Sequence, residues 1–185
     1  MAISRISSNM VNEIHMLADI TVGKGLVTQS EIISAIDSEL SYVIKKNDEN
    51  VIIGFSLNEK INSDILTSIY KRCDETFGNL KDTMNDMTSI VNLSALGIMP
   101  QYQRHGYGRL LFQTVISIFK AKYDCITALA WKKGDEIPMK KLFEQEGLSY
   151  LGMMKSPYKD VKGLYCEYCK SDVCLCDSCL YAWNK

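Results

Sequence analysis

The stretch from residue 90 to residue 123 limits the fold more than any other part of the chain. Residues 90–98 are a strongly apolar run of strand length. Residues 100–105 are polar, and from Gly106 onward Tyr107, Leu111, Val115 and Ile118 or Phe119 recur at helical spacing. A buried strand that feeds such a loop, and then a helix opening on Gly106 and Gly108, aims backbone N–H groups at one spot. Unpaired donors and the helix dipole make that spot favourable for phosphate. The two glycines lack a Cβ and let an anion approach the backbone. Arg104, His105 and Arg109 add positive character. The competing reading is a plain strand-to-helix connection that turns on glycine.

The flanking segments supply more strands and helices. Residues 2–6 read as a short strand. Met10, Ile14, Leu17 and Ile20 or Val22 then share one side of a helix that Gly23 and Gly25 stop. Thr28 and Glu31 have the spacing of a capping box, so a second helix should run through Ile32, Ile33 and Ile36. Residues 41–46 and 51–57 form a strand pair around the polar turn Asn47-Asp48-Glu49-Asn50. Ile65, Ile69, Cys73, Phe77 and Leu80 predict one or two helices within residues 59–87. Residues 125–131 form another strand. Pro138 and Gly147 bracket a short helix, and residues 148–154 and 161–168 read as a closing strand pair. Strands interleaved with helices give the α/β class, and adjacent strand pairs make the sheet mixed.

The 185 residues amount to one domain at about 150 residues each. Lys and Arg number 21 against 22 Asp and Glu, for a net charge of −1. That balance disfavours a nucleic-acid binder, which displaces counterions with a basic surface, and a polybasic membrane anchor. No apolar run reaches the roughly 18 residues of a membrane span, and the first residues lack the apolar stretch of a signal peptide. The expected compartment is the cytoplasm.

The run Gln103-Arg104-His105-Gly106-Tyr107-Gly108 resembles the Gln/Arg-x-x-Gly-x-Gly/Ala signature of the GNAT N-acetyltransferase superfamily, and Leu96-Gly97-Ile98-Met99-Pro100 resembles the strand end before it. The element order is similar too, over roughly residues 1–168. The resemblance implies a mixed, mostly antiparallel sheet flanked by helices, with 59–87 as a helical insertion in a domain of residues 1–165. It implies acetyl-CoA as co-substrate. Leu96, Gly97 and Ile98 would pair with the pantetheine arm, and Gln103, Arg104, His105, Gly106, Tyr107 and Gly108 would cradle the pyrophosphate. A primary amine, on a small molecule or a peptide, would attack the thioester directly. The family often dimerises through a sheet edge or the C-terminal strands, so a homodimer is compatible with the chain.

The proton step departs from the family. Positions where many members carry an acid or base match Asn92, Trp131 and Phe143 here, and none of these exchanges a proton near neutral pH. Three explanations stay open. Water held by Asn92 and Ser94 takes the proton. A base comes from elsewhere, with Glu136, Asp135, His15 and His105 as candidates. Or the protein binds acetyl-CoA without catalysis, as an interaction module. The insertion would shape the acceptor pocket or simply pack on the sheet.

Five of the seven cysteines lie between Cys166 and Cys179. A Cys-x-x-Cys turn aims two sulfurs inward, and a second pair closes a tetrahedron around Zn²⁺. The preferred ligands are Cys166, Cys169, Cys174 and Cys176, making residues 166–185 a small structural zinc knot. A competing set exchanges Cys174 for Cys179. The tail also resembles the ending of one group of GNAT-like proteins, where C-x-x-C and C-x-C follow the last strand and a Tyr comes near the C-terminus, as Tyr181 does. Cys73 and Cys125 fall in apolar patterns and read as buried thiols.

Overall fold

The computed structural model describes residues 1–46, 51–76 and 87–185. Along the chain come β1 (Ala2–Arg5), α1 (Val11–Thr21), α2 (Gln29–Asp37), β2 (Tyr42–Lys46), β3 (Val51–Ile61) and α3 (Ser63–Lys71). They are followed by β4 (Glu75–Thr76), β5 (Ile90–Ile98), α4 (Tyr107–Lys120), β6 (Cys125–Lys132), α5 (Lys140–Gln145), β7 (Ser149–Met154) and β8 (Asp177–Asn184). The described strands form one sheet in the order β1-β2-β3-β5-β6-β8-β7-β4. Only β5 and β6 pair in parallel among them; every other described ladder is antiparallel.

Neighbouring strand residues point to opposite faces, and both faces are covered. Val43, Ile52, Phe55 and Leu57 meet Ile14, Leu17 and Ile32 of α1 and α2. Ile44, Ile53, Val91 and Ile126 meet Leu111, Phe112, Val115 and Phe119 of α4. This double cover explains why the strands read as continuous apolar runs. The capping box is present: the Glu31 N–H donates to Thr28 Oγ1 at 3.2 Å, and the Thr28 N–H donates to Glu31 Oε2 at 2.7 Å. Asn62 Oδ1 caps α3 by accepting from the Ile65 N–H at 2.8 Å. Each such cap stabilises its helix by about 1 kcal/mol.

Two expectations change. The closing strand is Asp177–Asn184, not residues 161–168. It slots between β6 and β7, and Ser178, Cys179, Leu180, Tyr181 and Ala182 are all buried. A strand covered on both faces shows no apolar–polar alternation, so its pattern was hidden inside the cysteine-rich tail. In the insertion, β3 continues through Ile61, one helix follows, and Glu75–Thr76 pairs with β7. The short helix expected between Pro138 and Gly147 is present as α5, Lys140–Gln145. The turn at 47–50, and Phe77 and Leu80, lie outside the described residues. No described helix is long and apolar enough to cross a membrane.

Candidate functional site

The site begins where β5 and β6 part. Their ladder runs from Ile90↔Cys125 to Leu93↔Ala128 and stops. Past Leu93, β5 has no described ladder partner on that side, while β6 continues along β8 to Lys132. The gap is a cleft of about 240 Å³. Leu93, Ser94, Ala95 and Leu96 form one wall, Leu129, Ala130 and Trp131 the other, with Phe112 and Phe143 also lining it. Phe143 stacks on Phe112 at 5.3 Å and meets Tyr181 edge-on at 5.2 Å, so it supplies packing and no proton.

A bulge lies on the β5 wall. Leu57 faces Ala95 and Asn58 faces Leu93, so Ser94 is an extra residue with no partner on β3. Leu93 and Leu96 pack toward α4, whereas Ala95 packs toward α1 and α2. Bulges re-aim side chains and release backbone from the ladder. Here Ser94 and Ala95 also line a second cavity of about 440 Å³, bounded by Leu26, Ser30, Glu31, Ser34 and Glu59. Leu26, Ser94, Ala95 and Tyr158 line both cavities, which therefore meet at the bulge.

Beyond β5 the chain turns through residues 99–106 into α4. The Gln103 side chain donates from Nε2 to the Ile98 carbonyl at 2.8 Å and ties the loop to the strand end. Arg104 has φ of 62° and Gly106 φ of 84°, with open space where a Gly106 Cβ would stand. Gly106 precedes α4 without any side-chain cap, and the first helical bond is Leu110 N–H to Gly106 carbonyl at 2.9 Å. The N–H groups of Tyr107, Gly108 and Arg109 therefore have no intrahelical acceptor. His105 and Arg104 are exposed beside them, and the His105 ring stacks on Tyr107 at 6.0 Å. Gly97 serves packing: a Cβ there would collide with Thr21 Oγ1 of α1 and with Phe55. Ile98 is buried, so of the three strand-end residues only Leu96 presents a side chain to the cleft.

Asn92 and Ser94 do come together, and a residue that sequence reasoning missed joins them. The bulge sets Glu59 of β3 directly across from Asn92. Glu59 Oε1 accepts from Asn92 Nδ2 at 3.1 Å and from Ser94 Oγ at 2.9 Å. The fully buried Thr127 donates to Asn92 Oδ1 at 3.2 Å, which fixes the amide with its nitrogen toward Glu59. Glu136 is exposed in the turn after β6 and lines neither cavity. Tyr158 was also missed. Burial pushes its phenol up, and it packs on Trp131 at 5.6 Å.

The knot is compact. The Sγ atoms of Cys166, Cys169, Cys174 and Cys176 all lie within 4.8 Å of one another. Cys166 and Cys169 sit 3.9 and 3.6 Å from Cys176. A tetrahedral Zn²⁺ with bonds of about 2.3 Å has ligand edges of about 3.8 Å, so this donor set fits zinc. Burial raises the Cys174 and Cys176 thiols, so their thiolates need a nearby cation. Cys179 is elsewhere, in β8 within the core under α4. The knot packs against Leu26, Trp131 and Tyr158, and Tyr165 donates its N–H to the Lys24 carbonyl at 2.9 Å. Cys125 is an inert buried thiol, raised to about 12 by burial and then by Asp124.

Comparisons agree with this geometry. No curated protein matches the chain by sequence. Among solved structures, the GNAT-like decarboxylase GphF in complex with isobutyryl-CoA superposes with a TM-score of 0.70 at 13% identity, covering 100% of this chain and 99% of that one. A GNAT-family acetyltransferase from Streptococcus agalactiae gives 0.65 at 12%, covering 100% and 95%. A mosquito arylalkylamine N-acetyltransferase like 5b gives 0.67 at 13%, covering 100% and 99%. These likenesses show the fold. The acetyltransferase (GNAT) family model matches residues 15–147, which is most of the chain, and the chain belongs to that family.

Proposed function

We propose that the chain is an N-acetyltransferase that moves acetyl from acetyl-CoA to a primary amine on a small molecule or peptide. One observation carries this reading: two cavities reach the same point, Ser94 and Ala95, from different sides. One suits a thioester arm threaded between β5 and β6. The other suits an amine. Two reactants held at near-attack distance lose much of the entropic barrier to a bimolecular reaction. The unpaired β5 edge offers backbone donors to the pantetheine and to the thioester oxygen, where developing negative charge is stabilised. The uncapped start of α4, with Gln103, Arg104, His105, Gly106, Tyr107 and Gly108 around it, suits the pyrophosphate. The acyl-CoA bound by GphF supports a thioester ligand in this fold.

Cys166, Cys169, Cys174 and Cys176 would hold a structural Zn²⁺, a closed site that fastens the segment between β7 and β8. The free thiols suit a reducing compartment such as the cytoplasm. The balanced charge favours neither nucleic acid nor membrane as a partner. A second reading, an acetyl-CoA-binding interaction module, is favoured by Asn92, Trp131 and Phe143 standing where proton-transferring groups are common in the family. Free CoA measured with and without a panel of primary amines separates the two. Amine-dependent release supports the transferase; tight acetyl-CoA binding without release supports the module.

A further inference from the structure

We propose that Glu59 is the base that takes the proton from the attacking amine, with Asn92 and Ser94 as its positioning residues. The inference rests on the transferase reading. The amine cavity has two carboxylates in its lining, Glu31 and Glu59, and no histidine. Glu31 uses one oxygen, Oε2, which accepts from the Thr28 N–H and hydroxyl at 2.7 Å, but those bonds tie it to the α2 cap, whereas Glu59 is tied to Ser94, which lines both cavities. Glu59 uses one oxygen, Oε1, for Asn92 and Ser94. Among the described residues its Oε2 has no hydrogen-bond partner, and Glu59 lines the cavity. Tyr158, the remaining titratable group there, is a poor base because burial opposes its phenolate.

The carboxylate is held rather than merely near. Thr127 orients Asn92, Asn92 orients Glu59, and the Ser94 bulge makes that pairing possible. Were Ser94 paired with Asn58 in a regular ladder instead of bulged, Glu59 would face Leu93, whose side chain packs on the other side of the sheet. Ser94 Oγ, 2.9 Å from Glu59, lines both cavities and so stands between the carboxylate and the thioester cleft.

The reaction balances without another reactant. The substrate ammonium gives one proton to Glu59. The freed nitrogen lone pair forms the C–N bond at the thioester carbon, and the C–S bond breaks. The departing CoA sulfur takes the second N–H proton, and Glu59 returns its own proton to water. Products are the amide, CoA and a released proton.

The test compares wild type, Glu59→Gln, and Glu59→Gln combined with Asn92→Glu. The readouts are CoA release over pH 6–10 with a primary amine that wild type accepts, acetyl-CoA affinity, and melting temperature. General base catalysis is worth roughly 10²–10⁴-fold, so Glu59→Gln should lose at least about 100-fold in kcat. Acetyl-CoA affinity should hold within about twofold, and the rate of Glu59→Gln should climb with pH as solvent deprotonates the amine, so that its deficit against wild type narrows toward pH 10. Asn92→Glu, which restores a carboxylate across the ladder, should recover part of the rate. A Glu59→Gln variant that keeps full rate and profile overturns the proposal while leaving the transferase reading intact. So does rate loss matched by loss of acetyl-CoA binding. A wild type that releases no CoA to any amine overturns both.

Discussion

Gly25→Ala tests whether the knot buttresses the amine cavity. Gly25 sits in the α1–α2 loop with φ of +77°, and its N–H donates to Asp19 Oδ1 at 3.0 Å. A Cβ would collide with the Gly163 carbonyl oxygen and stand 2.8 Å from its carbon. Both partners are backbone, so neither can swing away. The left-handed conformation costs an L-residue about 1–2 kcal/mol. Overpacking against fixed atoms adds about 1–3 kcal/mol. Together they give about 2–5 kcal/mol. At roughly 2–4 °C per kcal/mol for a domain of this size, the melting temperature should fall by about 4–20 °C. Its neighbour Leu26 lines both cavities, but Val27, Ser30 and Glu31, which follow in the chain, line the amine cavity and not the cleft, and the bridge from Tyr165 to Lys24 sits beside this loop. The amine KM should therefore rise more than the acetyl-CoA Kd. Differential scanning calorimetry and steady-state kinetics read both effects. A variant with wild-type melting temperature and amine KM refutes the argument that the knot segment is docked on this loop.

Three further predictions come from separate features. Cys176→Ser should lose the metal and lower the melting temperature, whereas Cys179→Ser should keep one zinc per chain by elemental analysis; equal loss in both would contradict the ligand set. Gln103→Ala frees the loop from the Ile98 carbonyl, and a loss of about 1–1.5 kcal/mol for one hydrogen bond weakens acetyl-CoA binding about 5–13-fold by calorimetry. Asp124 accepts from Ser89 Oγ and Thr88 Oγ1, each at 2.9 Å, and from the Ser89 N–H at 3.1 Å, which hold its carboxyl below the ordinary value. A depressed folded-state pKa stabilises above the unfolded value near 3.9 and loses that stabilisation as pH falls through the folded one. Asp124→Asn should then melt lower at pH 7, with the difference closing below about pH 4.

The legible parts of the fold are those whose signals are local. The Thr28–Glu31 capping box, the helical spacing of Leu111, Val115 and Phe119, and the apolar run of residues 90–98 each sit within one element. The closing strand was not legible because Ser178 to Ala182 are buried on both faces and follow a cysteine cluster that carries its own interpretation. The cysteine set was half legible: spacing brought in all five, and only packing shows Cys179 turned into the core under α4. Glu59 was hidden for a different reason. It lies 33 residues from Asn92, and what joins them is register, set by one extra residue at Ser94. Period-2 patterning reports which face a residue takes and is silent on which residue stands opposite.

In the proposed reaction the acyl donor and the amine meet at Ser94 and Ala95, and acetyl passes between them. The most direct measurement supplies acetyl-CoA with a labelled acetyl carbon and a panel of primary amines, and quantifies labelled amide and free CoA together by mass spectrometry. A labelled amide is expected from at least one amine, in one-to-one proportion with CoA. Tight acetyl-CoA binding with no amide from any amine would contradict the proposed reaction.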